Sequence, residues 1–293
     1  MEKLDFRLPD YDLVFGYDKY LGKNPDQKKS VIFKKRGTKA KLTDYSTVLS
    51  CMYDGDENTI DKNGCYWLDS AIEKDSLFAY HCGGHLYAPI NKRVVGVRPI
   101  VKFSSIKPMV SDFKVCDDGI KEALFGEYPD TIADESISSE LEKIYNFNLG
   151  IGIMTEKEYT VDKTYSYHDN IPFFKKIYPE YFYEGKKYVR VPVSSYLSHS
   201  KSGVVLSDKK FHDNGSYVWL EVKPQKLLID ENNDLAVFDN VILAGIQFNR
   251  IRNYKGDFNK TFMKKYLDKY FSKEILPSVK YSDNDVKSKV KSL

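Results

Sequence analysis

The run Tyr217-Val218-Trp219-Leu220-Glu221-Val222-Lys223-Pro224-Gln225-Lys226-Leu227-Leu228-Ile229 decides the fold class. Val218, Leu220 and Val222 fall at every second position, the period of a half-buried β-strand, and Pro224 marks a break in it. Asp230-Glu231-Asn232-Asn233-Asp234 follows as an acidic turn. Leu235-Ala236-Val237-Phe238 is then a second β run. Two such runs joined by a short polar turn predict a hairpin. A further strand is expected over 241–248.

Toward the C-terminus, Asp257 or Asn259 offers a cap for a helix running to about Phe271. Phe262, Met263, Tyr266, Leu267, Tyr270 and Phe271 recur in adjacent pairs four apart and make one broad apolar face. Lys260, Lys264, Lys265 and Lys269 are expected on the other side. Toward the N-terminus, Tyr188 to Val193 reads as a strand, and 155–192 as a series of short Tyr-rich elements. Asp134 or Ser136 can cap a helix with apolar positions Ile137, Leu141, Ile144 and Tyr145. Ala123 to Pro129 reads as a short strand ended by its proline. Residues 104–122, punctuated by Pro108 and the Asp117-Asp118-Gly119 turn, read as a connector between domains.

Before the connector, Val94 to Phe103 is a strand whose Gly96 and Pro99 place it at an edge or a bulge. Phe78-Ala79-Tyr80 and Leu86-Tyr87-Ala88 flank Gly83-Gly84 as a hairpin. Cys65 to Leu68 is a compact apolar strand. Thr43-Asp44 offers a cap ahead of Tyr45 to Met52, a helix or a strand. Val31-Ile32-Phe33 reads as a small strand in a Lys-rich stretch. Strands with occasional helices and no regular βαβ alternation give an α+β class. The expected organisation is two β-rich domains, residues 1–108 and 109–276, with the amphipathic helix closing the second. Residues 277–293 form a polar tail.

Composition narrows the function classes. The chain has 293 residues, 42% hydrophobic and 30% charged, ordinary for a soluble globular protein. Its net charge is +3, and only 7 of its 45 basic residues are Arg. So small an excess, carried almost entirely by Lys, argues against a dedicated nucleic-acid reader. The opening MEKLDFRLPDYD carries no apolar signal-peptide core, and no window approaches 18 consecutive apolar residues. A cytoplasmic location away from the membrane is the expectation, with Cys51, Cys65, Cys82 and Cys116 as reduced thiols. The chain is Tyr-rich, with 23, and tyrosine suits both sheets and binding surfaces.

Tyr66-Trp67-Leu68-Asp69-Ser70 and Gly96-Val97-Arg98-Pro99-Ile100 resemble the WWLRSP-type and GVRPAL-type strands of an uncharacterised bacterial and phage domain family. That family is similar in outline to the C-type-lectin-like fold of formylglycine-generating-enzyme relatives. This match covers residues 40–103, and the chain departs from it at Tyr66, usually Trp, and Asp69, usually Arg. Phe125-Gly126-Glu127-Tyr128-Pro129 resembles the family's FGSYPQ-type opening, and Tyr217 to Asp230 its WRVL-type strand. The resemblance extends to proteins of low-GC gut bacteria and their phages with this layout. It implies a C-type-lectin-like first domain and transfers no catalytic residue.

Several constellations carry chemistry on paper. His81-Cys82-Gly83-Gly84-His85, with Cys51 and Cys65, contains zinc-ligand types at spacings that fit no zinc template, and it also reads as a plain hairpin turn. Cys82 with His85 as base is a nucleophile arrangement that hairpin neighbours permit. Asp54, Asp56, Glu57 and Asp61 lack the ordered spacing of a calcium loop. No phosphate-binding glycine motif occurs. Trp67 and Trp219 are expected in the core, and Arg98 as a structural fork to backbone carbonyls or to a carboxylate, with Asp69 the candidate.

The expected function is therefore non-enzymatic recognition of a protein partner, without cofactor or metal. A phage-borne inhibitor acting on a host defence protein is one instance of it. Tyr159, Tyr165, Tyr167, Tyr178, Tyr181 and Tyr183 are the expected surface anchors. The alternatives are a lectin-like binder of carbohydrate or another small ligand, and a Cys/His-dependent hydrolase.

Overall fold

The computed structural model describes residues 4–15, 30–49, 53–54, 63–73, 76–80, 86–87, 95–146, 154–162, 175–192, 204–206, 209–211, 217–246, 248 and 257–277. Helices α1 (Tyr11–Phe15), α2 (Val31–Arg36) and α3 (Asp44–Val48) come first. Strands β1 (Tyr53–Asp54), β2 (Asn63–Gly64), β3 (Tyr66–Glu73), β4 (Ser76–Tyr80), β5 (Leu86–Tyr87), β6 (Val95–Val97) and β7 (Ile100–Lys102) follow. Then come α4 (Phe103–Ile106), β8 (Val110–Val115), β9 (Lys121–Ile132) and α5 (Glu135–Asn146). The second half adds β10 (Met154–Asp162), β11 (Lys175–Tyr183), β12 (Lys186–Pro192), β13 (Val204–Leu206) and β14 (Lys209–Phe211). It ends with β15 (Tyr217–Asp230), β16 (Leu235–Phe238), β17 (Leu243–Ile246), α6 (Phe262–Tyr266) and α7 (Ser272–Glu274). The sheets are mostly antiparallel and the helices few, an α+β architecture.

Strand β15 organises the larger sheet. Its N-terminal portion pairs with β12 and its C-terminal portion with β16, while β9 runs along its other side. The path β10-β11-β12-β15-β16-β7 is completed by β8 outside β9. The hairpin read from 217–238 is present, with Leu227 opposite Phe238 and Asp230 opposite Leu235. Asp230 closes its turn by accepting a hydrogen bond from Asn233 N at 3.3 Å, and Asp234 takes a left-handed φ of +49°. The smaller sheet runs β17-β6-β3-β4-β5, with β3 and β6 parallel and the rest antiparallel.

The segment 94–103 is not one strand. It splits at Arg98-Pro99 into β6, which pairs with β17 in the smaller sheet, and β7, which pairs with β16 in the larger. Its partner segment, 235–246, crosses between the sheets beside it: Phe238 N donates to Pro99 O and Ile242 N to Val97 O, both at 3.2 Å. Proline has no N–H to place in a ladder, so the switch falls where pairing lapses in any case. Arg98 fixes the crossing. It is 1% exposed, its Nε donates to Phe238 O at 2.7 Å, and its guanidinium lies over the rings of Phe33 and Tyr66.

Both sheets draw strands from either side of residue 108, so the 108/109 boundary does not separate one sheet from the other. The expected connector is itself folded: α4, then β8 paired with β9 around the Cys116–Gly119 turn, where Gly119 N donates to Cys116 O at 2.7 Å. One apolar cluster holds Phe6, Phe33 and Trp67 together with Phe125, Leu227 and Phe271. A smaller cluster of Ala133, Leu141, Tyr181, Tyr188 and Trp219 lies under α5.

Three further expectations change. Val31-Ile32-Phe33 is helical, because Ser30 Oγ caps it, accepting from Ile32 N at 3.3 Å and donating to Asp230 Oδ2 at 2.8 Å. Pro129 does not end its strand; β9 continues to Ile132, with register shifts in its pairing to β15 absorbing the irregularity. The C-terminal helix is capped by Thr261, whose Oγ1 accepts from Lys264 N at 3.1 Å, and it continues through a π turn to Glu274. Lys264 is buried rather than solvated. Its ammonium meets Asp5 and Asp268, both at 2.5 Å.

Candidate protein-binding surface

Strand alternation sorts the side chains of β11, β12 and β15 onto two faces. Tyr181 lies opposite Tyr188, which lies opposite Glu221; Arg190 lies opposite Trp219, and Pro192 opposite Tyr217. These residues share one face of the sheet. Val189, Val191, Val218 and Leu220 point to the other face and join the main core. Helix α5 covers a portion of the first face through Leu141, with Ile137 at its margin. Its C-terminal turns reach Arg190 through Glu142 and Tyr145 and leave Tyr217 at the edge of the cover.

At that margin Arg190 is held between two tyrosines. Its Cζ lies 3.9 Å from the Tyr217 ring centroid and 4.4 Å from that of Tyr145 on α5. Its Nε donates to Glu142 Oε2 at 2.9 Å and its Nη2 to Oε1 at 2.7 Å. Trp219 Nε1 also donates to Glu142 Oε2, at 2.9 Å. These hydrogen bonds, led by that of Arg190, hold the Glu142 carboxyl below its usual range against the opposing effect of burial. The Trp219 ring meets Tyr181 edge-on at 5.2 Å and Tyr145 at 6.3 Å, which supports the stack from beneath. Tyr145 and Tyr217 remain 44% and 40% exposed.

This arrangement is suited to contact rather than to proton transfer. The planar guanidinium stacks and forks at once, so it is fixed in place with its charge matched. Rings held by neighbours lose little further freedom on binding, which lowers the cost of association. Nearby charge is negative. Burial pushes the Tyr188 hydroxyl up to about 12, and Glu221, Glu184 and Asp134 add to that in the same direction.

The structure places the expected anchors elsewhere. Tyr159, Tyr178 and Tyr181 are buried, which corrects their reading as exposed residues. The reason is that these strands are covered where the tyrosines fall: Tyr159 of β10 and Tyr178 of β11 belong to the main core, and Tyr181 of β11 to the cluster under α5. Tyr159 donates to buried Glu180 at 2.8 Å. Tyr183 is half-buried against the smaller cluster. Tyr165 and Tyr167 lie outside the described residues. Trp67 and Trp219 are buried, and Trp67 Nε1 has no hydrogen-bond partner among the described residues. Arg98 bonds a backbone carbonyl, while Asp69 faces Arg7 at 3.9 Å instead.

Cys51, His81, Cys82 and His85 lie outside the described residues, as do Asp56, Glu57 and Asp61. Asp54 is in β1. Cys65 is buried and Cys116 half-buried, both free thiols. Among the described residues no group of three or more His, Cys, Asp and Glu converges as a metal site. Tyr145, Arg190, Glu142 and Tyr217 were not singled out from sequence. Arginine is scarce in a Lys-dominated chain, so Arg190 within a strand was the available signal. Comparison with protein-family models, with curated proteins and with solved structures finds no match to this chain.

Proposed function

We propose that this chain is a non-enzymatic protein-recognition module that binds its partner through the Tyr145–Arg190–Tyr217 face. One observation carries the reading: a fully paired arginine sandwiched between two exposed tyrosines, over a rigid Trp219–Tyr181 base. Interfaces concentrate their energy in Tyr, Trp and Arg of this kind, set on well-packed supports. The motif resemblance supplies the finer reading. It favours a cytoplasmic, phage-borne inhibitor of a host defence protein, with a C-type-lectin-like style for residues 1–108.

The test is partner capture by purified variants. Tyr145→Ala with Tyr217→Ala should weaken capture at least about tenfold, equivalent to ~1.4 kcal/mol, with circular dichroism unchanged. Cys82→Ala and His85→Ala should stay within about twofold, because this reading gives neither residue a role. Loss of activity in Cys82→Ala alone, with folding intact, would instead establish nucleophilic chemistry.

A further inference from the structure

The charges around the recognition face are specific enough to name what it fits. On the described portion of the face, Arg190 is neutralised by Glu142 at 2.7 Å and Lys143 by Glu140 at 2.7 Å, while Lys186 and Lys223 share Glu221 at 3.3 and 3.7 Å. Asp134 and Glu184 are exposed and carry no ion pair among the described residues. Both act on the Tyr188 hydroxyl beneath them, and Glu184 also acts on Tyr183 with Glu140. The face is thus electronegative on a chain whose net charge is +3.

From this we infer that the partner presents an extended, arginine-bearing, basic protein segment, which lays one guanidinium on the exposed Tyr217 and Tyr145 rings and brings further basic side chains to the carboxylates of Asp134 and Glu184 toward the opposite end of α5, about 16 Å away along the helix. The inference rests on the recognition reading above. Arg190 already shows how these rings take a guanidinium: it stacks on each of them, at 3.9 and 4.4 Å. Arg190 is fully matched, and Lys186 and Lys223 both lie against Glu221, so among the described residues the carboxylates of the face outnumber its cations by a small margin that disfavours a phosphate backbone. Stacking favours Arg over Lys, since only guanidinium is planar and weakly hydrated. The unpaired carboxylates add attraction that salt screens within about 8 to 10 Å.

The experiment uses the full chain with two fluorescein-labelled probes, (Arg-Gly)5 and (Glu-Gly)5, read by fluorescence anisotropy. (Arg-Gly)5 should bind, and (Glu-Gly)5 should not. Asp134→Asn with Glu184→Gln should weaken (Arg-Gly)5 binding about fivefold or more. Tyr145→Ala with Tyr217→Ala should weaken it about tenfold or more, which bulk charge attraction alone would not do. A (Lys-Gly)5 probe should bind more weakly than (Arg-Gly)5. Equal binding of (Arg-Gly)5 by both double variants and the unaltered chain, or preference for (Glu-Gly)5, overturns the inference. The recognition reading survives that result if Tyr145→Ala with Tyr217→Ala still abolishes partner capture. If capture too is untouched by the tyrosine pair, both readings fall.

Discussion

Asp69 shows how burial sets the properties of a single residue. Its backbone N–H donates to Pro9 O at 2.9 Å, which fixes the side chain in a sheltered position on β3. Burial pushes its carboxyl up to about 7; Arg7 opposes this from 3.9 Å, and Asp10 and Asp257 reinforce it. An acid whose folded pKa is raised holds its proton more tightly in the folded state. Its stabilising effect is complete below the unfolded value near 3.8 and is lost as pH rises through about 7. Asp69→Asn has no proton to lose. Urea titrations should therefore show the variant gaining on the unaltered protein from pH 4 to about pH 7 and levelling above it, with little change at the acid end. A gap that stays constant over this range would show that the carboxyl titrates alike in the folded and unfolded chain. None of this was legible in sequence, where Asp69 stood out only as a candidate partner for Arg98. Where the carboxyl sits and which charges act on it depend on Pro9, Arg7 and Asp257, distant in the chain.

Elements were legible to the extent that their signals are local. The 217–238 hairpin followed from period-two alternation and an acidic turn, and α5 from helical spacing of Ile137, Leu141, Ile144 and Tyr145. Helix α2 did not: β-branched and aromatic residues at 31–33 favour a strand locally, and the Ser30 cap that outweighs them is itself anchored to Asp230 across the fold. Strand β9 illustrates a similar point. Gly126 within it takes φ +59°, and a Cβ there would collide with the carbonyl oxygen of Ile275 at the end of the C-terminal helix. The helix end is seated on this spot: Glu127 N donates to Ile275 O at 2.7 Å, and Lys157 Nζ to Leu276 O at 2.8 Å. Burial lowers the Lys157 ammonium to about 8, so the contact is sheltered. Gly126→Ala should cost roughly 2 kcal/mol or more, the strain of a left-handed alanine plus displacement of the helix end. Chemical denaturation measures this, and protection of 272–276 in hydrogen exchange should fall with it. An alanine variant as stable as the original would mean that the helix end is not held there.

At the scale of the molecule, the two sheets are joined by a pair of chain segments, 95–102 and 235–246, that cross between them side by side. Arg98 sits at the crossing with a carbonyl bond to Phe238 and two ring faces around its guanidinium. Arg98→Ala removes a large buried side chain and leaves the Phe238 carbonyl without its side-chain donor. Loss of roughly 3 kcal/mol or more is expected by denaturation, with hydrogen-exchange protection falling in both sheets rather than one. Weakened protection confined to the smaller sheet would show that the crossing does not couple them. By itself the sequence determined the α+β class, the central hairpin and the position of α5, because each depends on neighbours along the chain. Only the tertiary structure decided that one strand would split between two sheets, that Tyr159, Tyr178 and Tyr181 would be buried, and that Tyr145, Glu142, Arg190 and Tyr217 would meet. Those outcomes depend on which strands pair across long stretches of chain and on where α5 stops covering the sheet, and local pattern carries no record of either.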